Sequence, residues 1–364
     1  MTSLNSNPLP PLYAAWFDDL LGREIPPETR ATCHDCAMCE SGGEYQKPGS
    51  KLFNPRSKCC TYQPKLHNFL TGLILSDDDP AMVAGRASVI ARLQAGVAVT
   101  PLGLGKSPKF KLLYDQMEMR GFGRAQSLRC SHYRDEQGGL CGVWKYRNGI
   151  CSTWFCKYER GAVGRDFWIA AEYLLVAIEE DLARWCVIEL EVGEEALEIL
   201  FEPPSNKQSL ALEDLDDQVE PGKQRRVWGH WYGREDEFYR ECARLVSPLS
   251  WQEVLTLCGP EVRGRAQLTQ KAYRAASSQD VPARLQLGAF TVIEAGADFF
   301  RVYRPDMGLD TFTLSAKIMR LLPFFDGRPT AEVVAQISEK ERLRFTDELL
   351  RRLVDFRILV AVEG

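Results

Sequence analysis

"RCSHYRDEQGGLCGVWKYRNGICSTWFCK", Arg129–Lys157, holds Cys130, Cys141, Cys151 and Cys156 among Gly, Asp, Arg and Asn, and none of them tracks an apolar face. A stretch this polar cannot organise itself by burying hydrocarbon, so its order needs another source. Upstream, "CHDCAMC" (Cys33–Cys39) sets Cys33, Cys36 and Cys39 close together, and "KCC" (Lys58–Cys60) adds Cys59 and Cys60. Residues 41–57 between them are rich in Gly, Pro, Lys and Ser and read as loop. Nine of the twelve cysteines therefore lie in polar, turn-like surroundings. The other three do not. Cys186 adjoins Trp185 on an apolar helix face, Cys242 follows Phe238 by one turn and Cys258 follows Val254 by one turn. Each of these three is expected to be a small buried hydrophobe.

A C-x2-C turn brings two sulfurs to one metal ion, and closed sites combine such pairs with distant partners. The metal displaces the thiol protons, since a coordinated thiol is deprotonated. The opening "MTSLNSNPLPPLYAAWF" has no basic segment followed by a long apolar run, and no apolar run reaches the roughly 18 residues of a membrane span. A cytoplasmic protein without membrane contact is expected, and in that reducing compartment clustered thiols bind metal or do redox chemistry more often than they form disulfides. Metal is the expectation for Cys33, Cys36, Cys39, Cys59, Cys60, Cys130, Cys141, Cys151 and Cys156; disulfides remain the alternative if the chain is exported. Zinc and an iron–sulfur cluster both take four thiolates, and the spacing does not choose between them. The run after Cys39, "ESGGEYQKP", is not that of a bacterial ferredoxin, and a C-x3-C-x2-C triplet is absent. His34 and His132 each stand within two residues of a cluster cysteine and are either ligands, donors to ligands or locally bonded.

The segment "CSHYRDEQGGLCGVWKYRNGICSTWFC" resembles the late cysteine segment of the zinc- or iron-chelating cysteine-cluster (YkgJ-like) proteins, and Cys33, Cys36, Cys39 with Cys59–Cys60 resemble that family's C-x-x-C-x-x-C-C element, here stretched. Arg147–Asn148 stands where the family has Arg-Pro. The resemblance covers about residues 30–160 and implies a bound metal rather than a reaction. A second stretch, "LSAKIMRLLPFFDGRPTAEVVAQI" followed by "LLRRLVDFRILV", resembles the PqqD-like winged-helix units, which implies peptide binding.

The remaining chain reads as α+β. A short helix over 11–22, one opening at Pro80 behind Asp77–Asp79 and stopping at Gly96, a long one over 164–186 and two more over 235–246 and 251–258 are expected; Ser250 and Glu253 form a capping box. "TPLGLGKSPKF" and residues 203–226 read as loops, the latter mobile. From about Ala283, short strands, three helices and a closing strand suggest a small winged-helix-like unit with an exposed strand edge in "DFFRVYRP". This gives three segments: a metal-organised, loop-rich cysteine-cluster domain over 1–160, a helical middle over 161–280 and the winged-helix-like unit over 283–364. The net charge of −5, and 12 basic against 12 acidic residues in 283–364, argue against nucleic-acid binding. Glu179, Glu180 and Asp181 are expected on a solvated face, and Trp228 and Trp231 in a core. "GLGKS" lacks phosphate-loop spacing, and no hydrolase or metalloprotease motif supplies catalytic residues. Two functions follow: a redox or electron-transfer protein if the centre is iron–sulfur, or a zinc-stabilised adaptor that binds a peptide or protein partner through its C-terminal unit.

Overall fold

A computed structural model describes residues 8–28, 54–202, 211–308 and 310–362. Cys33, Cys36, Cys39 and His34 lie outside these. The architecture is α+β, with helices dominating and short antiparallel strands gathered into small sheets. The chain divides into two compact units that interleave in sequence. The first is drawn from Met1–Ile25, Arg30–Trp154 and Glu172–Ala266, the second from Pro26–Thr29, Phe155–Ala171 and Gln267–Gly364.

In the first unit, α1 (Pro11–Leu21) starts on Pro11, where a missing N–H is harmless, and ends on Gly22 in the left-handed region. Tyr13, Trp16, Phe17 and Leu20 form its buried stripe. Then come β1 (Leu66–His67), α2 (Asn68–Ser76), α3 (Val83–Ala95), β2 (Val99–Thr100), β3 (Gly103–Leu104) and α4 (Pro108–Gly121). The expected cap holds at the head of α3: Asp79 accepts the Ala81 N–H, and Gly96 closes the helix. The three strands form a sheet in the order β1-β3-β2. "TPLGLGKSPKF" is thus not loop throughout; it contains β3, and Ser107 caps α4 by accepting the Phe110 N–H. A hairpin of β4 (Tyr133–Arg134) and β5 (Leu140–Cys141) precedes the one-turn helix α5 (Gly149–Thr153). The long α6 (Gly161–Glu189) follows, its stretch up to Ala171 belonging to the second unit, then α7 (Glu194–Phe201), α8 (Leu212–Leu215), α9 (Pro221–Trp228), α10 (Glu235–Val246), α11 (Trp251–Leu257) and α12 (Pro260–Ser277), which from Gln267 on belongs to the second unit. Within 203–226 the described part is therefore largely helical rather than a loop. Pro221 occupies the first turn of α9, and Arg225 and Arg226 face the negative end of its dipole. The capping box of α11 is present in both directions.

Close backbone approach holds the first unit together. A Cβ on Gly72 of α2 would stand 1.8 Å from the Tyr239 carbonyl oxygen of α10. One on Gly85 of α3 would stand 2.1 Å from the Gly142 carbonyl oxygen, beside Cys141. Trp228, Trp231, Phe238 and Tyr239 bury a cluster of edge-on rings, the core expected of the two tryptophans.

The second unit contains β6 (Arg284–Leu287), β7 (Thr291–Ala295), β8 (Phe299–Tyr303), β9 (Phe312–Ser315), α13 (Ala316–Leu321), β10 (Asp326–Pro329), α14 (Thr330–Glu341), α15 (Asp347–Asp355) and β11 (Leu359–Ala361). Two sheets result, in the orders β10-β6-β11 and β7-β8-β9. The edge expected in "DFFRVYRP" is not there. That stretch is β8, the central strand, paired with β7 on one side and β9 on the other. The reason lies in its register: Val302, fully buried, stands opposite both Val292 and Phe312, so the strand packs from both neighbours. β7 and β9 are the outer strands, and Val292 and Ile293 of β7 are exposed. Val302, Phe312, Leu314, Phe325, Val333, Ile337, Leu350, Leu353 and Phe356 form the core. Arg160 ties this core's rim, reaching Asp355 at 2.5 Å and the carbonyls of Ala276 and Ser278. Among the described residues no helix is long and apolar enough to cross a membrane.

Candidate metal centre

Three separate segments of the first unit bring four of the expected thiols together. Residues 54–60 form a tight turn in which the Lys58 N–H is donated to the Asn54 carbonyl and the Cys60 N–H to Ser57. Lys58 is left-handed, with φ 49°, a strained conformation for a side-chain-bearing residue, and its buried Nζ donates to the Gly139 carbonyl at 2.9 Å. The turn is stitched to the second segment by the Cys130 N–H, which is donated to the Cys60 carbonyl at 2.6 Å. The hairpin sets Cys141 opposite Tyr133, and the Gly142 N–H is donated to the His132 carbonyl at 2.8 Å. The third segment is α5. Asn148 caps it, its side chain accepting the Cys151 N–H at 3.1 Å. Asn148 thus supplies a cap that orients the cysteine-bearing turn.

All six pairings among Cys59, Cys130, Cys141 and Cys151 are close enough for charge on one thiol to act on another. Burial pushes the Cys130 thiol up to about 12 and raises Cys141 too. Burial raises Cys151 well above the usual thiol range, and the charges of Cys141, Cys130 and Cys59 add to it. Cys59 moves the other way: its hydrogen bond with the Cys60 thiol outweighs burial, and Arg147 and Lys58 assist. Arg147 is 5% exposed and acts on Cys59, Cys141 and Cys151. Its guanidinium lies 3.3 Å from the Trp144 ring centroid and donates to the carbonyls of Trp144, Cys151 and Pro8. Buried arginine beside buried thiols is an arrangement that favours thiolates.

Among the described residues no three His, Cys, Asp or Glu side chains already stand at coordination spacing, and no disulfide joins any two of the nine described cysteines. Cys156 belongs to the second unit and is half-buried. Cys186, Cys242 and Cys258 are at most 2% exposed, the first two on helix faces and Cys258 at the C-cap of α11, as the apolar spacing leads one to expect.

Two groups stand behind the thiols: Glu179, whose burial was not legible in the sequence, and His132, which the sequence marks as a ligand, a donor to a ligand or a locally bonded histidine. Glu179 is not on a solvated face; it is 1% exposed, while Glu180 and Asp181 turn outward to Arg184. Its Oε1 accepts the Gly149 N–H at 2.5 Å, two residues before Cys151, and the Tyr13 hydroxyl; Oε2 faces His67 Nδ1 at 3.3 Å. A Cβ on Gly149 would stand 2.7 Å from the Leu175 side chain, so the cysteine-bearing turn lies directly on α6. The second group is His132, buried between α3 and the hairpin with Nδ1 2.8 Å from Ser88 Oγ. Burial, aided by Arg92, pulls its imidazole down to about 3, so it is neutral.

No protein-family model matches this chain, no curated protein matches it, and no solved structure matches it.

Proposed function

We propose that Cys59, Cys130, Cys141 and Cys151 hold a metal centre, iron–sulfur or zinc, and that Cys60 and the three N-terminal cysteines Cys33, Cys36 and Cys39 belong to the same thiol pool. The observation that carries this reading is the mutual proximity of four thiols from three segments, three of them beside buried Arg147. Four such thiols cannot all ionise unaided at low dielectric; a cation of charge two or more offsets their repulsion and fills the need that three raised thiols express. An iron–sulfur centre supplies one-electron redox chemistry when bound, and the surrounding arginines and amides set its potential. The test is metal and acid-labile sulfide analysis of anaerobically purified protein. Ser at Cys59, Cys130, Cys141 or Cys151 is expected to cut bound metal at least tenfold, whereas Ser at Cys186, Cys242 or Cys258 leaves it unchanged; equal losses in the two groups would reject the site.

The adaptor reading has its own observation, the open outer edge of β7. A partner segment adding a strand there would meet Val292 and Ile293. The PqqD-like resemblance supports a peptide as that segment, and the balanced charge of 283–364 speaks against DNA. Ile293→Lys is expected to abolish such binding while Thr313→Lys, on the far strand, does not; isothermal titration with the partner peptide decides it.

A further inference from the structure

Ser88 has one hydroxyl proton and two neighbours that compete for it. Its Oγ lies 2.7 Å from the Gly85 carbonyl oxygen, to which it donates, and 2.8 Å from His132 Nδ1. With the proton on the Gly85 side, the contact to the ring requires Nδ1–H as donor. The opposite assignment would leave a buried Nε2–H with no acceptor, a costlier defect than a bare lone pair. The hydrogen-bond network therefore assigns the Nδ1–H tautomer. What remains is a lone pair on Nε2, and that atom is fully buried with no hydrogen-bond partner, on a residue 1% exposed.

The backbone of His132 is tied to both thiol-bearing arms of the hairpin. The His132 N–H is donated to Cys130 Sγ at 3.4 Å, and its carbonyl accepts the N–H of Gly142, the residue after Cys141. Arg92, half-buried, acts on both His132 and Cys130, and its Nη1 likewise has no hydrogen-bond partner. An imidazole whose Nδ1 is pinned by a hydroxyl and whose buried Nε2 has no hydrogen-bond partner is the arrangement in which histidine ligates metals. We infer that His132 is a nitrogen ligand, through Nε2, of the metal on the Cys130–Cys141 side of the centre, which makes the site a mixed thiolate–imidazole one; the inference rests on the metal-centre reading above. Ser88 is then a positioning residue that sets the tautomer, and Arg92 balances the thiolate charge.

Loading the full chain with Co(II), which reports sulfur and nitrogen ligands through its visible absorption, tests both levels separately. X-ray absorption of the wild-type protein should show imidazole scattering beside sulfur. His132→Ala should remove that scattering and shift the visible bands, and Ser88→Ala should weaken metal affinity by 10- to 100-fold while keeping the nitrogen. Sulfur-only coordination in the wild-type protein would overturn the inference and leave the metal centre standing, with water then satisfying Nε2. Failure to bind Co(II), zinc or iron at all would overturn both. The wild-type measurement decides the matter even if His132→Ala does not fold.

Discussion

Glu28 is the residue whose environment makes the plainest demand. Its two oxygens accept the Glu159 N–H and the Trp168 Nε1–H, each at 2.8 Å, yet burial outweighs both bonds and raises its carboxyl from 4.5 to about 7. A carboxyl raised in the folded state binds its proton more tightly there than in the unfolded chain. Its stabilising contribution is thus complete below about 4.5 and is lost as pH climbs through about 7. The difference is worth on the order of 3 kcal/mol to the second unit. Glu28→Gln should flatten that slope in a series of denaturant titrations from pH 4 to 8, while lowering stability overall because its amide turns an N–H2 toward a donor. At this scale the sequence is readable for residue type but not for direction. The buried fate of Cys186, Cys242 and Cys258 follows from the apolar residues one turn away. Glu179 sits in the same acidic triplet as Glu180 and Asp181, and only the tertiary partners Tyr13, His67 and Gly149, all far off in sequence, turn it inward.

Elements were legible where a stripe or a cap marks them. α1, α10 and α11 lie where their buried spacing and caps place them, and the Gly96 stop of α3 is left-handed as a C-terminal glycine should be. α2 was missed for a physical reason. "NFLTGLILS" is buried on nearly every side, so it carries no amphipathic period to read. Its burial depends on Gly72, since the Tyr239 carbonyl occupies the space of a Cβ. Gly72→Ala is expected to force α2 and α10 apart and to cost about 2–4 kcal/mol, although Ala is the better helix former; thermal unfolding of the variant measures it. A gain in stability would mean that the helices can separate freely. The strands were harder, because period-2 alternation tells which residues share a face and says nothing of which strand lies outermost. Hence β8 rather than β7 was expected at the edge.

For the whole molecule, the α+β class and the presence of a thiol-rich segment were legible, whereas the division into units was not expressible as contiguous stretches. The first unit has little apolar surface around residues 54–61 and 121–151, and metal binding to such a region supplies folding free energy, about 10 kcal/mol or more for structural zinc. Removal of the proposed metal by chelator should therefore raise hydrogen exchange at 54–61 and 121–151 first and leave α14 and α15 protected; uniform loss of protection across both units would contradict this. The interleaving has a consequence for the order of synthesis. The second unit needs Pro26–Thr29, made early, Phe155–Ala171, made midway, and the stretch from Gln267 onward. Every thiol proposed for the centre leaves the ribosome while Gly161, which packs on Phe356, and Arg160, which pairs with Asp355, still lack those partners. The nascent protein thus has the thiols of the proposed centre in hand well before its second unit can close. A ribosome-stalled chain ending shortly after Ala266 would present Glu28 and Arg160 without Asp355, held for the chaperone machinery rather than folded.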